Sequence, residues 1–197
     1  SATRCSAWTT PSGSLPPGGA LEAVLATRQA GKVRYIGFTG HKSPAVHLHM
    51  LATASAHGFV FDAVQLPLNV LDYHFASFQR EVVPLLRQHA IGVLEMKTFG
   101  ERHVLRSGAA SSEEWLRYAM GLPVYVAIVG CDTLPFLEQA LARSFRPLTS
   151  VQRRCLLART AAAGSTGEFE PYKTTTDFDP TSRNPRWLSG SAGPFGA

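Results

Sequence analysis

The apolar positions of this chain fall into two alternating patterns. Short, nearly continuous apolar runs occur at Val33–Phe38, Phe61–Pro67, Ile91–Met96 and Tyr125–Gly130. Runs of this kind, without strict alternation, predict strands of a parallel sheet covered by other elements. The first sits within GKVRYIGFTGH, entered from the helix-ending Gly31 and left through Thr39-Gly40-His41. Between the runs the apolar spacing becomes helical. Leu21, Val24 and Leu25 form a stripe on a helix over 19–30, and Val46, Met50, Leu51 and Ala54 form another after the cap-and-proline pair Ser43-Pro44.

A third helix is predicted from Phe75 or Ser77 to His89, where Pro84 should kink or split it. After a loop with a short turn near Val104-Leu105, Ser111 and Glu114 have capping-box spacing and open a helix to Gly121. Asp132 or Thr133 caps the next helix, through Leu137 and Leu141. Thr149 and Gln152 form a second capping box, opening a helix to about Ala163. Residues 1–18 read as a loop or frayed end, and 164–197 as an extended tail rich in Gly and Pro.

Repeated strand–helix alternation predicts an α/β fold with parallel strands joined by right-handed crossovers. A (β/α)8 barrel needs eight such units in about 250 residues. Four are present here, so the chain is either an open sheet or half of a TIM barrel.

Composition narrows the classes. At 197 residues and 45% hydrophobic content the chain can bury one core and is not disordered over its length. No apolar run approaches the roughly 18 residues a membrane helix needs, and the start lacks a signal-peptide core. The absence of an initiator Met is read as a beginning lost or removed. Cys5, Cys131 and Cys155 are too few and too dispersed for a disulfide framework or zinc site, which fits a cytoplasmic setting. The net charge of +5 is spread singly except at Arg143, Arg146, Arg153, Arg154 and Arg159, read as a solvated helix face rather than a nucleic-acid surface. His47 and His49 are two apart and face different ways on a helix, so no metal site is predicted.

Several positions could carry chemistry. Thr39, Gly40 and His41 sit at a strand's carboxyl end, where ligands bind in α/β proteins; the glycine permits close backbone approach, or simply a tight turn into the Ser43 cap. Gln65 places an amide in an apolar strand. Gly130-Cys131-Asp132-Thr133 leads into a helix N-terminus, whose unpaired amides favour phosphate, although Asp132 opposes an anion. Lys97, with Glu95 as a partner, could form a Schiff base in a lyase, or a structural ion pair.

The runs GGALEAVLATRQAGKVRYIGFTGHKSPA, FDAVQLPLNVLD, GIGVLEMKTFG and LRYAMGLPVYVAIVGCD resemble the C-terminal half of an aldo/keto reductase, and GEFEPYKTTTDFDPTSRNPRWLSG resembles the tail of a bacterial subgroup of that family. The resemblance spans about residues 18–190. It implies strands five to eight of a (β/α)8 TIM barrel over 19–163, an NADPH or NADH cofactor and a small carbonyl substrate. It further implies nicotinamide contacts at Thr39, Gly40 and Gln65, and phosphate and adenosine contacts at Gly130, Cys131, Asp132 and Thr133. The family's catalytic Asp, Tyr, Lys and His come from its first four strands, so no catalytic residue is assigned, and the chain alone is expected to be inactive. Near Phe136, where the family carries a basic residue for the 2′-phosphate, there is no charge. Open alternatives are a non-catalytic nucleotide-binding module and the Lys97 lyase. The two strand edges of a half barrel lead to an expectation of self-association.

Overall fold

The computed structural model describes residues 19–144 and 146–178. Within them four parallel strands form one sheet in chain order: β1 (Gly37–Thr39), β2 (Ala63–Pro67), β3 (Gly92–Met96) and β4 (Val126–Ala127). Thr39, Gln65, Leu94 and Val126 lie side by side in register. Strands that pair with their chain neighbours in parallel require a crossover each time, and right-handed crossovers put the covering helices on one face.

Burial follows that geometry. Phe38, Val64, Leu66, Val93 and Glu95 are buried on one face, whereas Gly37, Thr39, Ala63, Gln65, Gly92, Leu94 and Met96 on the other are half-buried. The apolar residues of the buried face, Phe38, Val64, Leu66 and Val93, join Met50, Leu51, Phe78, Leu86, Trp115 and Tyr118 in a continuous core.

The helices are α1 (Ala20–Gln29), α2 (Pro44–Ala56), α3 (Phe78–Glu81), α4 (Val83–Gln88), α5 (Ser112–Met120), α6 (Leu134–Ser144), α7 (Ser150–Gly164) and α8 (Pro171–Thr174). Ser43 caps α2 by accepting from the Ala45 amide at 3.2 Å. Both predicted capping boxes form, at Ser111/Glu114 and Thr149/Gln152. Pro84 lacks the N–H that the Arg80 carbonyl would need, and the predicted helix divides into α3 and α4 beside it. Among the described residues no helix is long and apolar enough to cross a membrane.

Three expectations need correction. The first strand lies at Gly37–Thr39 rather than Val33–Phe38: the Asp62 carboxylate takes the Ile36 amide at 2.7 Å in place of a ladder bond, and Tyr35 is exposed. β4 is shorter than Tyr125–Gly130, although the Tyr125 and Ile128 amides still reach the Val93 and Glu95 carbonyls. Residues 165–178 are not extended. They turn at Gly167, where φ is +72° and a Cβ would lie 2.5 Å from the Phe75 ring, and then form α8. The tail residues Phe169, Tyr172, Lys173 and Trp187 are expected from their aromatic and basic character to pack across the outside or mouth of a barrel; Tyr172 and Lys173 are buried, and Trp187, like residues 1–18, lies outside the described residues.

Candidate functional site at the carboxyl rim

The loops at the carboxyl ends of β3 and β4 enclose a cavity of about 630 Å³. Lys97, Thr98 and Arg102 line one wall, and Gly130, Asp132 and Thr133 the other. The β3 loop is locally strained: Lys97, Glu101 and Arg102 all have positive φ, at 63°, 56° and 71°. Each such non-glycine conformation costs on the order of 1–3 kcal/mol, and strain of this kind concentrates at ligand-binding loops.

The charges around the cavity are paired. Lys97 Nζ meets Glu101, and Arg102 meets Asp132 across the mouth in a pair about 70–75% exposed. Thr133 Oγ1 accepts the Phe136 amide at 3.4 Å, so of the two predicted caps of α6 the threonine makes the bond. The N-terminal turn of α6 thus opens beside the cavity, with its positive dipole end there.

Lys97 does not pair with Glu95. The positive φ at Lys97 breaks the strand's alternation, and Glu95 turns into the core, where its Oε1 accepts the Thr98 hydroxyl at 2.7 Å. Burial pushes the Glu95 carboxyl up to about 8, against that hydrogen bond.

The predicted residues fall into two groups. Gly130, Asp132 and Thr133 share the cavity with Lys97. Cys131 is exposed and does not line it, its sulfur lying 3.8 Å from the Val129 carbonyl. Thr39 and Gln65 lie on the open sheet face beyond β3, with Thr39 Oγ1 3.9 Å from Met96 Sδ. Among the described residues nothing hydrogen-bonds the Gln65 side-chain amide. Gly40 has a packing reason of its own, because the His47 ring fills the space above its Cα. Burial lowers His47 to about 4, leaving it neutral between Phe38 and Phe78.

A buried polar cluster beside the rim includes Tyr172 and Lys173 of the tail, which the sequence marks as aromatic and basic, but their polar partners escaped the sequence reading. Lys173 of α8 donates to Asp72 at 2.7 Å, to the Phe75 carbonyl at 2.9 Å and to Glu170 at 3.1 Å. Asn69 donates to the Tyr172 hydroxyl at 2.9 Å and accepts the Leu71 and Asp72 amides, while Asp72 accepts those of Phe78 and Gln79. The one local signal was Asn69 and Asp72, loop-ordering side chains placed just after a strand. Arg102 was missed as well, since nothing local marks an exposed arginine as a cavity wall.

No protein-family model matches the chain, and no curated protein does. Among solved structures it is similar to a thermostable aldo-keto reductase crystallised with the inhibitor epalrestat, at 14% identity and a TM-score of 0.54. The likeness covers 74% of this chain and 55% of that one, so the chain spans about half of that structure's length. At this identity the likeness establishes the fold, a four-stranded parallel α/β sheet consistent with part of a TIM barrel.

Proposed function

We propose that this chain is the C-terminal half of an aldo/keto-reductase-type barrel, which holds the nucleotide end of NADPH or NADH and lacks the groups for carbonyl reduction. The observation that carries the reading is the cavity between β3 and β4, which sets the Arg102 guanidinium, the Thr133 hydroxyl and the α6 N-terminus around one space. Those donors fit a phosphate-bearing ligand. Arg102 supplies the cation that Phe136 does not, and favours the extra phosphate of NADPH. Gln65, whose side-chain amide has no hydrogen-bond partner among the described residues, fits a carboxamide contact on the sheet face.

The bound cofactor would supply hydride, and reduction also needs an acid placed at the carbonyl oxygen. Among the described residues the rim offers Lys97, engaged by Glu101, His41, edge-on to Tyr172 and Phe178, and His103, edge-on to Phe178. None of the three is presented as such an acid. The same engagement of Lys97 weighs against the Schiff-base lyase, which borohydride trapping with a carbonyl compound would reveal.

Calorimetric titration with NADPH, NADH and 2′-phospho-ADP-ribose tests the proposal. Saturable binding of the phosphorylated nucleotides, weakened in Arg102→Ala, is expected, with no carbonyl turnover. Absence of all binding, or turnover at ordinary enzymatic rates of about 1–10³ s⁻¹, would overturn it.

A further inference from the structure

Tyr172 and Phe178 are set against residues from several strand ends at once. The Tyr172 ring lies edge-on to His41, which follows β1, at 6.1 Å, and its hydroxyl takes the Asn69 amide, which follows β2. Lys97, which follows β3, places its Nζ 5.6 Å from the same ring. Phe178 repeats the pattern, 6.5 Å from His41, 5.5 Å from Lys97 Nζ and 6.3 Å from His103. Because β2 lies between β1 and β3, rings that touch the residues after both outer strands sit across the carboxyl end of the middle one.

We infer that residues 170–178 form a built-in plug over the carboxyl ends of β1 to β3, locked by Lys173 and closing the part of the rim next to Thr39 and Gln65. The lock is the fully buried set of Lys173, Asp72 and Glu170, with Lys42 holding the Thr175 carbonyl further along. The cavity between β3 and β4 stays open beside it. A nucleotide could therefore seat its phosphates while the plug still covers the place for a flat ring, and full engagement would require the plug to lift. The ligand part of this inference rests on the proposed cofactor site; the plug itself does not.

Two measurements on the full chain separate the two. In the first, lysine acylation by N-hydroxysuccinimidyl acetate is followed residue by residue in the parent, Phe178→Ala and Lys173→Met, with exposed Lys32 as internal reference. Lifting the plug should speed Lys97 acylation about threefold or more relative to Lys32, because reaction follows the open population. A smaller change in Phe178→Ala overturns the plug. If Lys173→Met shows no cooperative thermal transition, that variant has unfolded and Phe178→Ala alone decides.

In the second, NADPH should bind Phe178→Ala about threefold or more tightly than the parent, since an occluded state lowers apparent affinity by the open fraction. 2′-Phospho-ADP-ribose, which lacks the nicotinamide, should bind both alike. Equal NADPH affinity, with the fragment bound by both, overturns the occlusion. If neither nucleotide binds either protein, the cofactor reading fails and the acylation result alone decides the plug.

Discussion

A Cβ at position 40 would lie 2.7 Å from His47 Cε1. Gly40 and His47 are thus one packing unit: the strand end has no side chain because the first turns of α2 press a buried imidazole against it. Gly40→Ala should cost about 1–3 kcal/mol through overpacking. In a His47→Ala background most of that cost should vanish, and urea unfolding of the four proteins checks the non-additivity.

The buried triad of Lys173, Asp72 and Glu170 makes a second prediction. Lys173→Met leaves two carboxylates without their cation, and should destabilise the fold by about 3–5 kcal/mol. The loss should shrink on acidification, as the carboxylates protonate. Denaturant midpoints at neutral and acid pH provide the measurement.

His47 and Glu95 act on pH stability in opposite senses. The folded His47 titrates near 4 against an ordinary 6.5, so the unfolded chain takes up the proton first. Its contribution, about 3 kcal/mol, is whole above 6.5 and lost as pH falls through 4. Folded Glu95 titrates near 8 against an ordinary 4.5, so its contribution is whole below 4.5 and lost as pH rises through 8. Asp72, raised by burial to about 6, pulls in the same direction as Glu95 at lower pH. Relative to the parent, His47→Leu should flatten the acid side of the stability profile and Glu95→Gln the alkaline side. Thermal unfolding between pH 4 and 9 reads both.

Arg102 and Asp132 face each other across the cavity, and an anionic ligand would feel them with opposite signs. Asp132→Asn should strengthen NADPH binding, and Arg102→Ala should weaken it, each about fivefold for exposed charges. Titration at low and high salt checks the sign, since screening should shrink both effects.

Within the described sheet the outer edges of β1 and β4 have no neighbouring strand, and Tyr35, Tyr125, Val126 and Ile128 beside them are exposed. Such edges invite pairing with another chain. Sedimentation velocity should show association that grows with concentration; a sharp monomer boundary across the range would contradict it.

Elements written in short-range chemistry were legible before the structure. The boxes at Ser111/Glu114 and Thr149/Gln152, the proline entry after Ser43 and the break at Pro84 each depend on residues within four positions of one another. The parallel direction of the strands also followed from alternation, because successive strands joined by crossover helices run the same way, whereas their order in the sheet is a finding of the structure. The Lys97 partner did not follow, since strand periodicity paired it with Glu95 and a left-handed backbone turned it to Glu101. Gly40 read either as a glycine for close ligand approach or as a tight turn into the Ser43 cap, and the histidine that packs against it was not foreseen.

The sequence by itself thus determined the kinds and order of the elements from α1 to α7, their side-chain caps, and the placing of Thr39, Gln65 and Thr133 at or near strand ends, all consequences of local periodicity; α8 followed from the packing of the tail. Only tertiary structure decided which charges meet. Lys173 lies about a hundred residues from Asp72, and Arg102 thirty from Asp132. A charge enters the interior only where folding brings it a partner, and no local pattern records a partner that distant.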